Sequence, residues 1–328
     1  MVLLKIQSLT VDNLYMSKVD LYLQASIREN TQKSYTTAIQ HYEFEWQGLL
    51  PATADHIAHY LSDYAGVLSI NTLKQRVAAL SQWHIEQGFP DPTKAPIVKK
   101  VLKGIKVVHP VQEKQAKPLQ LLQLKETISY LDQMVEQSKT SGSLAQQLRY
   151  TRNKLLLLLG FWRGFRGDEL TRLNIEDIEI HTEGLSCYLA QTKGDRALNG
   201  QYFQVPKLNQ LCPVKAYSDW LAISELSSGA VFRSVNRWGK ISSDALHIDS
   251  LIPLIRTIFS EAGIDSAELY STHSLRRGFA HWASDNGWDL KTLMEYVGWK
   301  NINSALRYIK SSQNFQRIIL EPHPPNKI

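Results

Sequence analysis

Residues 272–310 read THSLRRGFAHWASDNGWDLKTLMEYVGWKNINSALRYIK, and the fold of the second half of the chain follows from their spacing. Leu275, Phe279, Trp282 and Ala283, then Leu290, Leu293, Met294 and Val297, recur with the helical period, which predicts two amphipathic helices, each with one face on a core. Beyond Gly298, Asn301 is a suitable N-cap for a short helix in which Ile302, Ala305, Leu306 and Ile309 face inward and Tyr308 stands at the edge of that face. His273 and Arg276 are three residues apart on the first helix, so they point the same way and can converge on one small anion. Taken singly, a tyrosine beside an apolar face, a His three residues from an Arg and the aromatic Trp299 are all ordinary features of helical proteins.

A second cluster lies upstream, in Gly164-Phe165-Arg166-Gly167-Asp168-Glu169-Leu170. Glu169 follows Arg166 by three residues at a helix start, where its carboxylate can orient an arginine or an imidazole; an ordinary surface ion pair is the alternative. Arg163 is the neighbouring candidate, but no Glu stands three residues beyond it. A third cluster, Gln191-Thr192-Lys193-Gly194-Asp195-Arg196, reads as a polar turn between two strands.

The chain has 328 residues, room for two domains, and a net charge of +6, which favours an anionic partner. Cys187 and Cys212 are its only cysteines, too few for a disulfide framework or a structural zinc site. No apolar run long enough to cross a membrane, no signal pattern, no Walker loop and no dinucleotide fingerprint occurs, so we expect a soluble, cytoplasmic protein without metal or cofactor.

Residues 1–107 read as a small helical domain, with helices near residues 12–24, 31–46, 53–64, 71–87 and 96–105. Its basic residues, among them Lys33, Lys74, Arg76, Lys99, Lys100 and Lys103, form either a solvated face or one that follows a phosphate backbone. Residues 108–118, inside the charged, proline-containing stretch 106–118, read as an extended linker. Residues 119–328 read as mainly helical, with helices near residues 121–136, 144–161, 167–172, after Pro213 and at 248–262. Strand-like runs at 178–181, 185–190 and 202–205 suggest one small antiparallel sheet.

The order His-x-x-Arg, Gly-Trp and a Tyr nine residues after the Trp resembles the C-terminal signature of the tyrosine recombinases, the phage integrase family. The Gly-Trp variant is most similar to its Cre-type members, and the Arg-x-x-Glu-Leu of residues 166–170 matches the family's first arginine motif. The resemblance implies a DNA clamp made of a core-binding domain and a catalytic domain. It implies Tyr308 as nucleophile, His273 as base, Arg166, Arg276 and Trp299 on the phosphate, Lys193 as general acid (Arg196 less favoured) and Glu169 behind the arginines. Arg196 and Arg277 join the DNA-binding set. Partners implied are double-stranded DNA with an inverted-repeat site and three further copies of the chain in a homotetramer on two duplexes. The apolar segment containing Phe315, Ile318, Ile319 and Leu320 either folds back on its own domain or, as the resemblance implies, docks on the neighbouring copy. Related alternatives are a type IB topoisomerase or telomere resolvase, and a regulator that binds DNA on the same fold without cutting it.

Overall fold

The computed structural model describes residues 18, 22, 29–110, 115–192 and 199–306. It divides into two compact units, Met1–Lys114 and Gln115–Ile328. The predicted helix at residues 12–24 lies outside the described residues except for Lys18 and Tyr22.

The first unit contains α1 (Glu29–Gln40), continued by a wider π-type turn over His41–Glu45, then α2 (Ala54–Asp63), α3 (Ile70–Glu86) and α4 (Pro96–Val108). Two of these helices start where a hydroxyl can take up an orphan N–H. Thr53 Oγ1 accepts from His56 N, and Ser69 Oγ from Thr72 N. Tyr42, Ile57, Tyr60, Leu61, Leu73, Leu80 and Val98 form the core. His84 is buried there, with Nε2 accepting from Ala52 N at 2.8 Å, so Nδ1 carries the proton that goes to Leu80 O at 2.7 Å. The expectation of an extended linker needs correction at both ends. Nothing interrupts the backbone ladder before Pro110, so α4 runs on to Val108, and His109 N still donates to Ile105 O. At the far end, Lys117 N and Leu119 N donate to Leu269 O and Ser274 O, which makes these residues part of the second unit's body.

The second unit is built around α6 (Leu144–Trp162), which follows α5 (Leu121–Thr140). Leu155 to Trp162 are all buried; a helix apolar on every side has to be enclosed by neighbours. After α7 (Gly167–Thr171), β1 (Ile178–Ile180), β2 (Gly184–Leu189) and β3 (Gln201–Pro206) form an antiparallel sheet in that order. Cys187 pairs with Ile178 on one side and Phe203 on the other. Burial pushes the Cys187 thiol up to about 12, so it is an inert core group. Then follow α8 (Pro213–Ser224), β4 (Arg233–Val235), β5 (Ile241–Ala245), α9 (Ile248–Glu261), α10 (Thr272–Asp285), α11 (Leu290–Val297) and α12 (Ile302–Leu306). The class is therefore mainly helical with small antiparallel sheets, as expected, and the described residues hold two of them. The β4–β5 hairpin is held on α6 by Arg149 Nε, donating to Val235 O, and Arg152 Nη1, donating to Arg233 O.

Helix α10 can approach the start of α5 only because residue 278 lacks a side chain. A β-carbon there would lie 2.0 Å from Leu119 O and 2.8 Å from Phe161 Cε2. Gly278→Ala is expected to cost about 1–3 kcal/mol of overpacking and to lower the melting temperature by several degrees. An unchanged melting curve would show that the helices part without penalty.

Candidate active site

The buried carboxylate of Glu169 ties the site together. At the start of α7, Glu169 Oε2 accepts from Arg166 N at 2.8 Å and Oε1 from Arg166 Nη1 at 2.5 Å. The same Oε2 lies 3.9 Å from Arg276 Nη1. With side chains 3% and 20% exposed for Glu169 and Arg166, this is no surface ion pair. One carboxylate stands against two guanidinium groups from elements more than a hundred residues apart, and its negative charge offsets the like-charge repulsion between the two arginines.

Arg276 is 1% exposed on α10. Its Nη1 donates to Gly164 O at 2.5 Å and its Nη2 to Val297 O at 3.0 Å, so both terminal nitrogens are oriented by carbonyls at the ends of two other segments. Gly164 has φ 64°, which lets the chain turn sharply from α6 into the Arg166 motif. The Trp299 ring lies 5.1 Å from the Arg276 guanidinium carbon and is 6% exposed. His273, on the first turn of α10, is exposed, and its backbone N–H donates to Ser271 Oγ at 3.2 Å. Of the two, His273 is exposed and Arg276 is packed beneath the surface. In α12, Asn301 Oδ1 caps Asn303 N as expected, but only Ala305 faces inward. Among the described residues, Ile302 and Leu306 are 52% and 49% exposed.

Arg163 is a site residue whose character the sequence hides. It is 4% exposed, and its guanidinium carbon lies 4.6 Å from the Phe203 ring centre and 4.4 Å from that of Tyr296. Its Nε and Nη1 have no hydrogen-bond partner among the described residues. Burial pushes its pKa down to about 10, with Tyr296 and Glu169 acting in the opposite direction. Tyr296 is itself pushed up to about 12 by burial and donates its hydroxyl to Trp162 O at 2.8 Å.

Tyr308, Lys193 and Arg196 lie outside the described residues, as do Ile309, Phe315, Ile318, Ile319 and Leu320. Of the predicted DNA-facing set, Lys33, Lys74, Lys99, Lys100 and Lys103 are exposed. Arg76 is half-buried, and its Nη1 donates to Tyr60 Oη at 2.8 Å, so it supports the core of the first unit. Arg277 is also half-buried and donates to Gln115 Oε1 at 2.6 Å.

Two arginines joined through one buried glutamate bring paired guanidinium donors together, an arrangement suited to holding an anion. The phage integrase family model matches residues 129–314, more than half of the chain, and the chain belongs to that family, the tyrosine recombinases. It is 29% identical over 303 residues to the integrase/recombinase XerD homologue of Selenomonas ruminantium, covering 90% of this chain and 85% of that protein. It is 23% identical over 276 residues to the recombinase Cre of Escherichia phage P1, covering 80% and 77%. Among solved structures, a lambda integrase (75–356) dimer bound to a COC′ core site matches with TM-score 0.57 at 16% identity, covering 90% of this chain and 95% of that one. XerH bound to palindromic difH in a post-cleavage complex matches with TM-score 0.56 at 19% identity, covering 85% and 75%. At these identities the structural matches speak for the fold.

Proposed function

We propose that the protein is a site-specific DNA recombinase that cuts and rejoins strands through a 3′-phosphotyrosine. The observation that carries this reading is Glu169 holding Arg166 and Arg276 in one cluster, in a chain of the tyrosine recombinase family. A phosphodiester repels nucleophiles, gathers charge on its nonbridging oxygens in the transition state and expels an alkoxide that needs a proton. Arg166 and Arg276 stabilise that charge, since guanidinium cannot lose its proton near neutral pH. The Tyr308 oxygen forms its bond to phosphorus as the bond to the 5′-oxygen breaks. The tyrosine proton passes to His273, and Lys193 supplies a proton to the leaving 5′-oxygen. Attack by the 5′-hydroxyl of a partner duplex reverses these steps and completes the exchange. Bond energy is conserved in the phosphotyrosine, so no nucleotide is consumed.

The proposal extends to a simple recombinase of the Cre or Xer kind, acting as a homotetramer on two duplexes at an inverted-repeat site. Lys33, Lys74, Lys99, Lys100 and Lys103 contribute counterion-releasing phosphate contacts, and the segment after Ser312 docks on a neighbouring copy. The test is selection of bound duplexes from a random library and from DNA flanking the gene, followed by incubation with versions nicked near the selected centre. Detergent-resistant protein–DNA adducts support the reading; binding without any adduct favours a regulator.

Lys193→Ala is expected to be slow on an oxygen substrate and restored towards the wild-type rate when the bridging 5′-oxygen is replaced by sulfur, because a thiolate leaves without a proton. Equal losses on both substrates would move the acid role to Arg196.

A further inference from the structure

We infer that Arg163 is a positioning residue, a buried cation clamped between Phe203 and Tyr296 so that strand β3 and the C-terminal end of α11 hold the catalytic arginines in register. This rests on the recombinase reading of the site. Arg163 caps the end of α6, two residues before the loop reaches Phe165 and three before Arg166. One face of its guanidinium meets a ring from β3, and a second ring comes from α11, each at a separation suited to cation–π attraction.

Both rings lead directly to groups in the site. Tyr296 precedes Val297, whose carbonyl receives Arg276 Nη2, and stands three residues before Trp299, which packs against the same guanidinium. Phe203 lies against Gly298, where an added β-carbon would sit 3.6 Å from its Cε1. Phe203 is also the third residue of β3, the strand that follows the Lys193 segment in sequence. The clamp therefore joins the Arg166 turn, β3 and the α11 end that orients Arg276.

A structural arginine is usually satisfied by hydrogen bonds, and among the described residues this one leaves Nε and Nη1 unpaired in the core. Its pKa, pushed down to about 10 by burial, is still well above neutrality, so the group is charged. Burial without those hydrogen bonds works against the charged form, and the two rings are what it has in return.

The experiment compares full-length wild type with Arg163→Met, which fills the slot without charge, and Phe203→Leu, which removes one ring and keeps the arginine. Melting temperature and amide hydrogen exchange are measured without DNA. Binding and single-turnover cleavage are measured on the nicked duplex from the selection described above. Arg163→Met is expected to melt no lower than wild type, while the amides of Gly298 and Trp299 exchange roughly tenfold faster in both variants. Cleavage is expected to fall about tenfold or more with DNA affinity within about threefold of wild type. Wild-type exchange and cleavage in both variants would overturn the inference, as would a loss of cleavage that only follows a lowered melting temperature. A wild-type protein that cuts no DNA would overturn the recombinase reading, whereas the exchange measurements decide on the clamp without it.

Discussion

Tyr308→Phe is expected to abolish strand cleavage while leaving site binding within several-fold of wild type. The substitution keeps the ring and its packing and removes only the attacking oxygen, so nothing that holds the duplex should change. A phenol is a poor nucleophile near neutral pH, with an unperturbed pKa of ~10, and needs its proton removed as it attacks. No other residue in the proposed scheme can take over the covalent step. The readouts are a gel shift for binding and detergent-resistant adduct for cleavage. Adduct formed by Tyr308→Phe at the wild-type rate would place the nucleophile elsewhere.

Arg276→Ala should lower cleavage by roughly 10²-fold or more, the scale of losing one preorganised stabiliser of transition-state charge. Here the substitution has a second effect, because Arg276 also bridges Gly164 O and Val297 O from a position 1% exposed. Removing it leaves two carbonyls short of a donor and Glu169 with only Arg166, at a cost of about 1–3 kcal/mol for each buried group left unsatisfied. The two effects separate with temperature. The chemical loss persists far below the melting transition, whereas a purely structural loss recovers when the variant is fully folded. Recovery to within a few-fold of wild type in the cold would show that Arg276 acts only as a strut.

The parts of the fold that the sequence disclosed are those in which periodicity and burial agree. Leu275, Phe279 and Ala283 mark the buried face of α10. The Arg166–Glu169 pair was legible from its spacing, but its depth was not. Proximity of Glu169 to Arg276 depends on tertiary contacts that no local pattern encodes. The β4–β5 hairpin escaped because three residues of β4 and the polar run Ile241–Ala245 show no alternation, and its attachment depends on Arg149 and Arg152 reaching backbone carbonyls. In α12 Ala305 is buried while Ile302 and Leu306 are exposed among the described residues, an asymmetry that the apolar period alone does not show. Arg163 was passed over because it has no carboxylate at helical spacing. Its partners are aromatic rings from β3 and α11, and a search for ion pairs cannot find them.

The account stands most directly on the identity of the covalent link. Purified protein is incubated with the nicked duplex, the adduct is isolated in detergent and digested with protease and nuclease, and the nucleotide-bearing peptide is sequenced by mass spectrometry. The account predicts a peptide modified at Tyr308, with the phosphate esterified to the 3′ end of the cut strand and a free 5′-hydroxyl on the released fragment. Attachment through another residue, or through a 5′-phosphate, would contradict it.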